Sequence, residues 1–115
     1  MFEYKAKVIK VVDGDTVDAM VDLGFSVWKK IRIRLSGINA PESRTRDLEE
    51  KKRGLAAKAR LIELLKESND EFTLISLGVG KYGRCLGTIY TTHSLPLNRI
   101  LIEEGHGVEY HGGKR

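Results

Sequence analysis

Cysteine is nearly absent. The 115-residue chain has one, Cys85, so no internal disulfide can form. Cys85 reads as a small buried apolar side chain, and its solitude fits a reducing compartment. Long apolar runs are missing too, and nothing approaches the ~18 residues that a membrane-spanning helix needs. The first residues, Met1-Phe2-Glu3-Tyr4-Lys5, lack the apolar stretch of a secretory leader, so a cytoplasmic location is expected. There is no internal repeat and no low-complexity linker. Proline occurs twice. Pro41 forces an irregular passage, and Pro96 suits a first helical turn. Neither sign of charge dominates: Lys and Arg number 20 against 16 Asp and Glu, a net charge of +4. That excess permits a polyanionic partner without identifying one.

What is present suits one compact domain over residues 1–115, expected to act as a monomer. Apolar residues make up 41% of the chain, enough for a core, and charged residues 31%, enough for a soluble surface.

Strand-like alternation fills the first half. Tyr4 to Val8 alternates polar and apolar residues, and Val11 and Val12 extend it. Asp13-Gly14-Asp15 is a turn by composition. Val17, Ala19 and Val21 share one face of a second strand. A third runs from about Trp28 to Leu35, with Ile31, Ile33 and Leu35 opposite Arg32 and Arg34. Residues 43–53 are dominated by charge. Leu55, Ala59, Ile62 and Leu65 then recur at helical spacing. The helix starts either at Asp47, with Glu50 in a capping arrangement, or near Gly54. Phe72 to Leu77 and Arg84 to Thr91 read as two more strands. A short helix begins near Pro96 and ends at Gly105, with a loosely ordered tail from about residue 108. The expected fold is α+β: a five-stranded OB-fold barrel, one longer helix between strands 3 and 4, and a short C-terminal helix.

Several residues can carry chemistry. Asp15 sits between a turn glycine and a strand, and Glu42 follows Pro41 just past a strand end. Each also has a plain reading, as a turn aspartate accepting backbone N–H groups and as an exposed carboxylate. Arg34 and Arg84 can be ordinary surface cations. Taken together, two arginines, several oxygen donors and a basic surface are what phosphodiester hydrolysis uses. Arginine donates paired hydrogen bonds to a charged phosphoryl group, a divalent cation polarises it, and a carboxylate takes a proton from water.

Three motifs stand in order: Asp13-Gly14-Asp15-Thr16; Arg34-Leu35 with Gly37-Ile38-Asn39-Ala40-Pro41-Glu42; and Lys81-Tyr82-Gly83-Arg84. With them the chain resembles the staphylococcal nuclease (thermonuclease) family, from about Val8 to Gly107. The resemblance implies a Ca2+-dependent nuclease acting on DNA, RNA or both. It implies Asp15, Asn39 and the Ala40 carbonyl as metal ligands and Glu42 as the general base. Arg34 and Arg84 would stabilise the transition state, and Lys81 and Tyr82 would bind a neighbouring phosphate. Alternation alone does not choose between Arg32 and Arg34, and the spacing to Pro41-Glu42 matches the family at Arg34.

The chain departs from the family in three places. Asn39 stands where the family has a second aspartate ligand. Calcium accepts amide oxygens, but a unit of negative charge is gone, so weak binding is expected. The link from Asp22 to Trp28 is long and carries Phe25 and Trp28, read as a cover over one barrel end in preference to a base-stacking platform. The further C-terminal helix of the secreted nuclease is not matched, and Tyr110 is a candidate for a tyrosine on that wall of the cleft. His93, His106 and His111 have no tight ligand spacing and read as surface residues. The alternative function is a catalytically weak or inactive module of the same family that binds nucleic acid or protein.

Overall fold

Period-two alternation builds the sheet. The structure, a computed structural model, describes residues 2–79 and 84–110. Strand β1 is Phe2–Asp13, β2 is Thr16–Asp22 and β3 is Trp28–Leu35. On β3, Ile33 and Leu35 are fully buried, while Lys30 and Arg32 at alternate positions are exposed. On β2, Val17, Ala19 and Val21 form the matching inner row. A two-residue strand β4, Ile38–Asn39, precedes the long helix α1, Leu48–Lys66. Then come β5, Glu71–Val79, and β6, Cys85–Tyr90, followed by α2, Leu97–Glu103, and a two-residue strand β7, Val108–Glu109.

The barrel closes in the order β1-β2-β3-β6-β5, which is the five-stranded OB-fold barrel expected. The fourth and fifth strands of the sequence reading are β5 and β6, each within two residues of its expected ends. Neighbours pair antiparallel except β3 with β6, where Ile33↔Cys85 through Leu35↔Gly87 run parallel. Cys85 is buried in this seam, as read.

Helix α1 begins at Asp47, the first of the two starts. The Asp47 side chain accepts the Glu49 and Glu50 N–H groups, which no helical carbonyl can serve. Its buried face is Gly54, Ala57, Leu61, Leu64 and Leu65. This corrects the stripe of Leu55, Ala59 and Ile62: Leu55 and Ala59 are exposed. Both sets satisfy helical spacing, but the true face starts with small residues that let the helix approach the barrel closely. Hydrophobicity overlooks them.

Arg60 of α1 grips Glu104 beyond α2 with two bonds, 2.7 and 2.9 Å. The guanidinium holds the Glu104 carboxyl below its ordinary range. It also offsets the unfavourable place of that acid at a helix C-terminus. Asn98, buried on α2, accepts the Ile89 N–H and donates to the Ser36 and Gly87 carbonyls. One amide thus ties α2 to β6 and to the end of β3.

Two local expectations meet a different outcome. Phe25 does not cover the barrel: its side chain stands wholly in solvent at the β2–β3 hairpin, and Trp28 is 41% exposed. Residues 108–110, assigned to the tail, extend the fold: Val108–Glu109 pair with Ile38–Asn39, and the Tyr110 N–H donates to the Gly37 carbonyl. Among the described residues, no helix is long and apolar enough to cross a membrane.

Candidate functional site

The turn at residues 13–15 is pressed between α1 and the passage after β4. A β-carbon on Gly14 would lie 2.6 Å from the Ala57 Cβ and 3.2 Å from the Ala40 Cβ. Only glycine lets the three segments meet. From this turn two carboxylates reach the same passage. Asp15 Oδ2 accepts the Ala40 N–H at 2.9 Å, and Asp13 Oδ1 accepts both the Ser43 N–H and the Ser43 hydroxyl. Glu42 lies between those two anchors.

Helix α1 fixes the other side of Glu42. A β-carbon on Gly54 would overlap the Glu42 carbonyl, so glycine is required inside this helix despite its cost there. The Glu42 N–H donates to Glu50 Oε2 at 3.2 Å. The Glu42 side chain itself is exposed. It lines a cavity of about 480 Å³ with Asn39, Ala40, Arg53, His106 and others. His106, read from sequence as a surface residue, is therefore a wall of the same cavity.

Arg34, the penultimate residue of β3, stands beside Asp15. Cross-strand pairing of Thr16 with Arg34 and a bond from the Leu35 N–H to the Asp15 carbonyl set this adjacency. The Arg34 Nη2 stands 3.6 Å from Asp15 Oδ2. Its Nη1 donates to the Leu35 and Ile38 carbonyls, each at 2.7 Å. The Tyr110 ring centroid lies 5.9 Å from the guanidinium carbon. Arg84 immediately precedes β6, whose Cys85 and Leu86 pair with Ile33 and Arg34. Arg32, by contrast, is committed to Asp18 at 2.8 and 3.1 Å. Lys81 and Tyr82 lie outside the described residues.

The oxygens here suit a hard cation in kind. Asn39 Oδ1 is buried and has no hydrogen-bond partner among the described residues, an uncommon state for an amide oxygen and one that a cation would relieve. Its chain neighbour Ala40 is bonded to the Asp15 carboxylate. Asp15, however, already accepts from Thr16 Oγ1 at 3.0 Å as well as from Ala40, which is the plain reading of a turn aspartate. Among the described residues, no group of three or more His, Cys, Asp or Glu is gathered for a metal.

The roles of Asp13, Ser43 and Gly54 were missed in the sequence. The Asp-Gly-Asp spacing signalled Asp13, but Ser43 and Gly54 carry no signal of their own, because each acts through a contact distant in the chain.

Comparison with known proteins adds a separate line. The profile of the family described as Staphylococcal nuclease homologue matches residues 32–114, more than half of the chain. A protein named Micrococcal nuclease from Shigella flexneri is 30% identical over 116 residues, covering 94% of this chain and 59% of its own length. Protein ParB from Escherichia coli is 31% identical, covering 94% and 58%. An uncharacterized endonuclease from Escherichia coli O157:H7 is 27% identical over 99 residues, covering 86% and 56%. The chain spans little more than half the length of these relatives.

Proposed function

The chain belongs to the staphylococcal nuclease homologue family, and from that membership we propose that it is a Ca2+-dependent nuclease hydrolysing phosphodiester bonds of DNA or RNA. The observation that carries this reading is the clamp on residues 40–43. Asp13 and Asp15 hold that passage from one side and Gly54 receives it on the other, so Glu42 projects from a fixed backbone. Arg34 is fixed in the same neighbourhood by its bonds to Leu35 and Ile38.

In this reading the Glu42 carboxylate takes a proton from the attacking water. Arg34 and Arg84 donate to the phosphoryl oxygens as charge grows there, and little reorganisation is needed because Arg34 is already held. Asp15, Asn39 and the Ala40 carbonyl would hold calcium, and the single charge of that set makes binding weak. When bound, calcium supplies Lewis-acid polarisation of the phosphate. Lys81 and Tyr82 are proposed contacts to a neighbouring phosphate.

The second reading is a weakly active or inactive binding module. It is favoured by the two hydrogen bonds that already occupy Asp15 and by the neutral Asn39. Cleavage of single-stranded DNA, duplex DNA and RNA decides between them, with added calcium, with excess chelator, and with Glu42→Ala. Calcium-dependent cleavage abolished in the variant is expected. Nucleic-acid binding without cleavage at any calcium level would select the binding module.

A further inference from the structure

The outer face of β1–β3 gathers cations in register. Pairing sets Lys10, Asp18 and Arg32 in one row and Lys7, Met20 and Lys30 in the next. Residues two apart on a strand share a face, so Trp28, Lys30, Arg32 and Arg34 form a line along β3. At a rise of ~3.3 Å per residue, Trp28 and Arg34 stand ~20 Å apart. One end of the line is the candidate active site; the other is an aromatic ring.

Asp18 is the acid in the middle of this face, and Arg32 chelates it with two bonds. Lys10 and Lys30 also lie close enough to favour its ionised form. With Asp18 answered by Arg32, the exposed Lys7, Lys10 and Lys30 outnumber the remaining acids of the face, Asp22 across from Trp28 and Glu71 across from Lys7. At the far end Trp28 is 41% exposed, and the Lys7 ammonium stands 5.4 Å from its ring centroid. Past it, the hairpin holds Phe25 at φ 56, a left-handed conformation unfavourable for a bulky residue, with the ring entirely in solvent.

We propose that this face is a track for single-stranded nucleic acid, leading away from Arg34 over Lys10, Lys30 and Lys7 to a base stacked on Trp28. The proposal rests on the nuclease-family reading of the Arg34 site and names how substrate continues beyond it. Rows of cations beside an accessible aromatic ring are what a single strand requires, because its phosphates are regularly spaced and its bases are available for stacking. A duplex buries its bases and gains nothing from Trp28. The track accommodates no more than about six nucleotides at the ~3.4 Å spacing of one strand.

Trp28 is the only tryptophan, so its emission reports this end alone. The test titrates the intact chain, in chelator, with a thymidine oligonucleotide of about twelve residues and with a dinucleotide. The long strand is expected to quench Trp28 and the dinucleotide is not. Joint Lys7→Glu and Lys30→Glu substitution should weaken long-strand binding tenfold or more. It should also reduce the slope of log affinity against log salt by ~1.4, since each lost single-strand phosphate contact removes ~0.7. A merely structural role leaves that slope unchanged.

Binding or cleavage of the long strand without quenching would overturn the track and leave the nuclease reading standing. Quenching without cleavage under calcium would uphold the track and remove catalysis. No binding of any strand, in chelator or with calcium, and no cleavage with calcium would defeat both. A blue shift of Trp28 with anionic phospholipid vesicles, with no response to the oligonucleotide, would assign the face to a membrane surface instead.

Discussion

Gly54 lies in the second turn of α1 with its α-carbon against the Glu42 carbonyl, leaving no room for a β-carbon. The helix that packs on the barrel therefore also sets the backbone from which the candidate base projects. Helix propensity alone favours alanine here by ~1 kcal/mol. The overlap is with backbone, which cannot swing aside, and overpacking of that kind costs ~1–3 kcal/mol. Gly54→Ala should therefore lower the melting temperature and the cleavage rate together. A more stable variant with unaltered cleavage would show that the contact is loose.

Asn39 should tune calcium affinity. Asn39→Asp puts a negative charge one residue from the Ala40 N–H that Asp15 holds, at an oxygen that has no hydrogen-bond partner among the described residues. Calorimetric titration should show tighter calcium binding in the variant. An unchanged titration would mean that residue 39 is not a ligand.

Both arginines should be needed for turnover, and Arg34 should matter for stability as well. Loss of one transition-state donor costs ~10²–10³ in rate, so Arg34→Ala and Arg84→Ala should each be severe. Arg34→Ala also strands the Leu35 and Ile38 carbonyls, at ~1–3 kcal/mol for each buried unsatisfied group. Turnover and melting measured on both variants would test this, and near-normal turnover in either would remove that residue from the mechanism.

The Arg32 guanidinium holds the Asp18 carboxyl below the ordinary aspartate range. A depressed carboxyl stabilises the fold fully above its unfolded value of ~3.9 and loses that contribution as pH falls through the folded value. Asp18→Asn should thus be less stable than the native chain at neutral pH. The melting temperatures should converge below about pH 4. Parallel curves down to pH 2 would refute the linkage.

Asn98→Ala should cost about 3 kcal/mol, because it leaves the Ile89 N–H and two carbonyls without their partner. Denaturant unfolding measures it directly. A loss below about 1 kcal/mol would mean that water replaces the amide.

The sequence by itself determined the five barrel strands and both helices. Ile33 and Leu35 alternate with Arg32 and Arg34 because a strand has period two, and Asp47 caps α1 because a helix leaves its first N–H groups unserved. The five-stranded barrel was legible from the strand count and the family motifs, and those motifs also singled out Asp15, Arg34 and Glu42 as candidates. Only the tertiary structure decided which apolar stripe of α1 turns inward, since Gly54 and Ala57 count for little by hydrophobicity and everything by size. It decided that Asp13 and Ser43 flank Glu42, that Asn39 Oδ1 is buried without a partner among the described residues, and that Lys7 meets Trp28. Each is a contact between segments distant in the chain. Local periodicity fixes where a side chain points on its own element, and only the packing of elements fixes what it meets.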